Sequence, residues 1–120
     1  MTSISPWLTV GDGMRALAFY RDAFGAVELE RTDDPDGNVI VANLAIDGAD
    51  FWLIHEPATP VPLPEQAVRM VLAVDDPDAV HARALAAGAT EITPMYEGHG
   101  WRLGRIADPA GHHWEIGRRL

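Results

Sequence analysis

At 120 residues and 13.1 kDa the chain is long enough for one domain, or for two small halves that share a core. It has no cysteine, which excludes thiol catalysis, disulfides and thiolate metal sites. A formal net charge of −9 argues against nucleic acid or an anionic membrane and favours cationic partners, while apolar runs of only four or five residues and no basic leader indicate a cytoplasmic protein.

Ile4 to Val10 reads as a first strand, with Pro6 near its start, where a missing N–H is tolerated. Asp12 is placed to cap a helix from Met14 to Phe24, in which Leu17, Tyr20 and Phe24 recur at helical spacing and Gly25 follows as the stop. Val27 to Thr32 is a strand. The run Asp33-Asp34-Pro35-Asp36-Gly37-Asn38 is a hairpin loop, and the strands Val39 to Ile46 and Phe51 to His55 are joined by a turn at Asp47-Gly48. Between 56 and 67, Pro57, Pro60, Pro62 and Pro64 make a stiff, extended connector. Beyond it come a strand from Arg69 to Val74, a helix opened by Asp76 and Pro77 with its body at Val80 to Ala87, and strands Thr90 to Tyr96, Trp101 to Ala107 and His113 to Ile116.

The second half repeats the first. Leu8, Val10 and Asp12 match Leu72, Val74 and Asp76; Gly25, Ala26 and Glu28 match Gly88, Ala89 and Glu91; Trp52 and Ile54 match Trp114 and Ile116. Each half is therefore β-α-β-β-β, in an α+β domain with module one at about 4–55 and module two at about 68–117. On this alignment the helices cover Leu8, Val10, Trp52, Ile54, Leu72, Val74, Trp114 and Ile116, and the opposite parity faces a hollow.

Asp108-Pro109-Ala110-Gly111 is turn chemistry, and the strand after it sets His113 and Glu115 on one face and Trp114 and Ile116 on the other. An imidazole and a carboxylate two residues apart on a strand stand roughly 7 Å apart, within reach of one small ligand. The paired modules, the phrase Phe19-Tyr20-Arg21-Asp22-Ala23-Phe24-Gly25-Ala26, and the run Asp108 to Ile116 resemble the vicinal oxygen chelate superfamily of glyoxalase I, bleomycin-resistance proteins, fosfomycin-resistance enzymes and extradiol dioxygenases. The resemblance covers nearly the whole chain and implies two βαβββ modules forming a curled mixed sheet around a concave cup. It does not select a chemistry, because this scaffold hosts many.

Metal-dependent members of that superfamily hold a divalent ion with His or Glu from the first and last strands of each half. Carried over by strand position, those places fall at Ser5, Leu53, Arg69 and Glu115, of which only Glu115 is a ligand type. Arg69 beside Glu115 suggests a guanidinium in the ion's place, a buried pair whose loss of arginine would cost about 3 to 5 kcal/mol. A displaced site of His55, His113 and Glu115 is the alternative, suited to zinc, nickel, manganese or iron.

The hollow also offers Trp7, Thr9, Asn43, Phe51, His55, Arg69, Trp101, His113 and Glu115 as a mixed aromatic and polar lining of the kind that small-molecule sites have. His81, His99 and His112 read as solvated, and Arg118 and Arg119 as tail charges. No phosphate loop, nucleophile elbow or His-Glu-x-x-His helix is present. The first reading is a metal-free, homodimeric binder resembling bleomycin-resistance proteins, taking an apolar or cationic aromatic ligand. The alternative is a metal-dependent glyoxalase-like or dioxygenase-like enzyme acting on a bidentate-oxygen substrate. A metal-free enzyme with Glu115 as general base and a purely structural interaction module complete the set.

Overall fold

Both helices begin where the sequence places a cap. In the computed structural model, which describes residues 2–61, 63 and 68–120, Asp12 accepts a hydrogen bond from the Arg15 N–H at 3.1 Å and Asp76 from the Ala79 N–H at 3.2 Å. Gly25, with φ of 69°, ends the first helix in the left-handed conformation that a side chain would resist. The order is β1 (Trp7–Val10), α1 (Gly13–Phe24), β2 (Val27–Asp33), β3 (Val39–Ile46), β4 (Ala49–His55), β5 (Met70–Ala73), α2 (Pro77–Ala86), β6 (Thr90–Gly98), β7 (Trp101–Ala107) and β8 (His113–Arg119). The connector prolines Pro62 and Pro64 lie outside the described residues.

The strands form two four-stranded mixed sheets of the same topology, β1-β4-β3-β2 and β5-β8-β7-β6, each with a parallel pair at one edge and antiparallel neighbours elsewhere. The sheets are not closed on one another. Their helix-bearing faces meet in one apolar core that holds Leu8, Val10, Phe51 and Leu53 of the first sheet with Ile106, Trp114 and Ile116 of the second. The helices pack against each other within it. The other face of each sheet therefore points away from the other module.

The expected parity holds in β1, β5 and β8 and fails in β4. Parallel pairing aligns Leu8 with Leu53 and Trp7 with Trp52, so the residues under the helices are Phe51 and Leu53, 4% and 0% exposed, and not Trp52 and Ile54. Phe51, expected in the hollow, is a core residue set edge-on to Tyr20 and Trp114, with ring centroids 5.1 and 5.6 Å away. The counterpart of Trp114 is Phe51, one residue earlier than the sequence match suggests. By the same shift, the counterpart of Glu115 is Trp52 rather than Leu53.

β8 extends past Ile116 to Arg119, so the terminal arginines belong to a strand.

Candidate functional site

The site is built on the turn before β8. Asp108 is buried, and its carboxylate accepts four hydrogen bonds: Oδ1 from the N–H groups of Ala110 and His112, at 2.9 and 3.0 Å, and Oδ2 from Tyr20 Oη at 2.5 Å and Trp114 Nε1 at 2.9 Å. Four donors compensate its removal from water. Burial and the adjacent Asp108 charge push the Tyr20 phenol well above its ordinary pKa of 10.0, so it remains a donor. This knot fixes Trp114 in the core, and strand alternation then sends His113 and Glu115 to the open face.

On that face Glu115 meets two guanidiniums. Its Oε1 lies 3.0 Å from Arg69 Nη1 and 3.3 Å from Arg105 Nη2. The Arg69 pair matches the sequence expectation in partners but not in burial, since the two side chains are 44% and 24% exposed. An exposed pair is worth far less than a buried one. Arg105 was not anticipated. Antiparallel pairing of β7 with β8 sets it directly opposite Glu115, and its Nε is buried without a hydrogen-bond partner.

A cavity of about 360 Å³ opens beside Glu115, floored by Val71, Leu103 and Gly117 and rimmed by Tyr96, His99 and Trp101. At Gly117 a Cβ would come within 2.8 Å of the Arg102 carbonyl oxygen and 3.0 Å of Leu103 Cβ, so glycine is what lets the strands lie this close. Arg119 sets its guanidinium 5.1 Å from the centre of the Trp101 ring. A second cavity, of about 460 Å³, runs along the seam between β1 and β5 and brings Trp7, Arg69 and His113 together with His112.

The remaining candidates are dispersed. Trp7 is 54% exposed and stacks on Trp52 at 6.0 Å on the open face of the first sheet. The Thr9 carbonyl accepts from His112 Nε2 at 2.7 Å, so His112 ties β1 to the turn before β8 and is not a free surface residue. Asn43 is buried, donating to Asp50 Oδ2 and to the Phe51 carbonyl at 3.2 and 3.1 Å. Asp50 also accepts from Ser5 Oγ, and these side-chain bonds hold its carboxyl below the usual carboxylate range. His55 Nδ1 accepts the Gly13 N–H at 2.9 Å, serving the start of α1 rather than the hollow. His81, expected in solvent, is 4% exposed and bonds Glu91 through Nε2 at 2.9 Å. Among the described residues, no three of His, Asp or Glu gather as a metal site would require.

Tandem βαβββ modules with one helix-covered face and one open face define a two-module chelate-fold protein. The chain belongs to the Glyoxalase/Bleomycin resistance protein/Dioxygenase superfamily, whose pattern matches residues 3–116. It is 42% identical to the Mycobacterium tuberculosis protein Rv0887c over 97% of this chain and 74% of that one, and 42% identical to Mb0911c of Mycobacterium bovis over 97% and 82%. Among solved structures, TioX from Micromonospora sp. ML1 is 26% identical with a TM-score of 0.74, covering 98% of this chain and all of that one. FosX from Listeria monocytogenes shares the fold at 16% identity and a TM-score of 0.78, covering 100% and 94%. No helix in the described residues is long and apolar enough to cross a membrane.

Proposed function

We propose that this chain is a small-molecule-binding protein that takes an aromatic ligand on its open sheet faces without a resident metal, and that two copies complete the cup between them. The carrying observation is the carboxylate of Glu115 held by two guanidiniums. On the observed register, the superfamily's ligand positions are Ser5, Trp52, Arg69 and Glu115, and only one of them is a ligand type. A defined divalent site needs about three protein ligands. The donor set does not fit one within a chain, nor where the same positions meet across two chains. The alternative set fares no better, because His55 is committed to the start of α1 on the opposite side of its sheet from the open face. FosX is named for fosfomycin resistance, and one of its structures holds Mn(II) with a dihydroxypropylphosphonic acid.

Assembly follows from what the open faces expose. Trp7, Val27, Val71 and Tyr96 are 54%, 58%, 62% and 42% exposed, an apolar surface on both outward sides of one chain. A second copy that turns its first sheet onto this chain's second covers both faces with one two-fold relation. Val71→Glu is expected to convert a dimer into a monomer in sedimentation velocity; a wild-type chain that sediments as a monomer at tens of micromolar overturns the assembly. Elemental analysis of the untagged protein tests the chemistry. Substoichiometric metal, with tryptophan fluorescence quenched by small aromatic compounds, supports the binder, whereas stoichiometric metal lost in Glu115→Ala overturns it.

A further inference from the structure

The sequence as a whole is acidic, yet the open face of the second sheet is basic. Among the described residues, Arg69 just before β5 and Arg105 and Arg119 on the outward parity of β7 and β8 stand against one carboxylate, Glu115. The other acids of this module are drawn to the helix side or its edges: Glu91 bonds His81, and Asp78 pairs with Arg102. Resting on the binding role above, we propose that the ligand of this face is an aromatic anion, a carboxylate carried on a planar ring, and not a cation.

The geometry supports this at both ends of the ligand. Each guanidinium presents five N–H donors, and Arg69 and Arg105 each spend one nitrogen on the same oxygen of Glu115, so donors remain on both for a second acceptor. A planar, forked donor of this kind suits a carboxylate better than any neutral group. Trp101, Leu103 and Arg105 share one strand face, with the outer two roughly 13 Å apart along it. A ring lying over Leu103 and Gly117, flanked by Tyr96 and Trp101, reaches Glu115 at one side of the cavity, and the two arginines that hold this carboxylate stand next to it. The cavity of about 360 Å³ is within the range of small-molecule sites. A cationic ring would instead meet a net positive face, whose one carboxylate among the described residues is already shared by two arginines.

Three probes of one ring system separate the charge of the ligand from the act of binding: 2-naphthoate, 2-naphthalenemethanol and 2-naphthylmethylamine, titrated into the full chain by tryptophan fluorescence. The naphthoate is expected to bind about tenfold more tightly than the alcohol and the amine most weakly, with a preference that shrinks as salt is raised. Arg105→Gln, and separately the more exposed Arg69→Gln, should bring acid and alcohol to within about twofold while the alcohol's affinity holds. Equal or tighter binding of the amine overturns the anionic assignment and leaves the binding role standing. A naphthoate preference that survives both substitutions overturns the assignment to these arginines. If none of the three binds, the binding role fails and the assignment falls with it.

Discussion

The two modules have the same strand order and one helix each, but they are held together by different physics. Module one rests mainly on apolar packing: Leu17, Phe19, Tyr20, Ala23 and Phe24 of α1 meet Val39, Leu44, Phe51 and Leu53, and most of the fully buried apolar side chains belong to this half. Module two buries Ile106, Trp114 and Ile116 but only Pro77, His81 and Ala84 from its helix, and its ion pairs link separate elements, whereas those of module one stay within α1 or β2. His81 with Glu91, Arg102 with Asp78, and Glu115 between Arg69 and Arg105 are all in the second half. The difference teaches that a repeated topology fixes the strand order without fixing what occupies it. One copy can carry the hydrophobic stability while the other carries the polar machinery.

Several substitutions sharpen or break that contrast. The largest effect is expected at Leu53→Ala, which empties a fully buried site beneath α1 and should cost about 4 kcal/mol in urea unfolding. A loss under about 1 kcal/mol would remove module one as the stability-bearing half. Asp108→Ala follows, at about 3 kcal/mol, because it strips a shared acceptor from Tyr20, Trp114 and two backbone N–H groups.

Tyr20→Phe comes next, at about 1 to 2 kcal/mol near neutrality, and it has a pH signature. The folded-state pKa of Tyr20 is raised above 10.0, so the unfolded chain ionises first, and wild-type stability is full below that value and falls as pH climbs past it. The phenylalanine variant should show a shallower alkaline decline; parallel curves between pH 9 and 11.5 would contradict the assignment. The smallest effect belongs to Arg69→Ala. With both members partly in water and Arg105 still holding Glu115, its cost should stay below about 1 kcal/mol, not the 3 to 5 of a buried pair. A large loss of melting temperature there would mean that the polar half also carries stability.

What could be read from the sequence follows the same division. Parity in β8 was legible because His113-Trp114-Glu115-Ile116 alternates polar and apolar. Parity in β4 was not, because Phe51-Trp52-Leu53-Ile54 is apolar at every position and offers no clue to which pair lies inward. A slip of one residue there sent Phe51 to the hollow and Trp52 to the core, the reverse of the structure. The burial of His81 is legible in the sequence: Pro77, His81 and Ala84 fall on one stripe of α2, the same periodicity that marks the buried face of α1. Arg105 could be linked to Glu115 only through the β7–β8 register, which depends on where the intervening turn begins. The helix caps rested on local rules, the modular repeat on a match between the halves, and the Arg69–Glu115 partnership on the family resemblance and strand parity.

The knot at Asp108 has a bearing on autonomy. Duplicated halves invite the view of two folding units on a string, but the phenol of the first helix finds its acceptor only after residues almost ninety positions later have arrived. Trp114 likewise completes the aromatic cluster of Phe24 and Phe51 from the far end of the chain. Neither half is sealed without the other, so unfolding should pass through a single cooperative transition, and a fragment ending at the connector would leave its own helix uncovered.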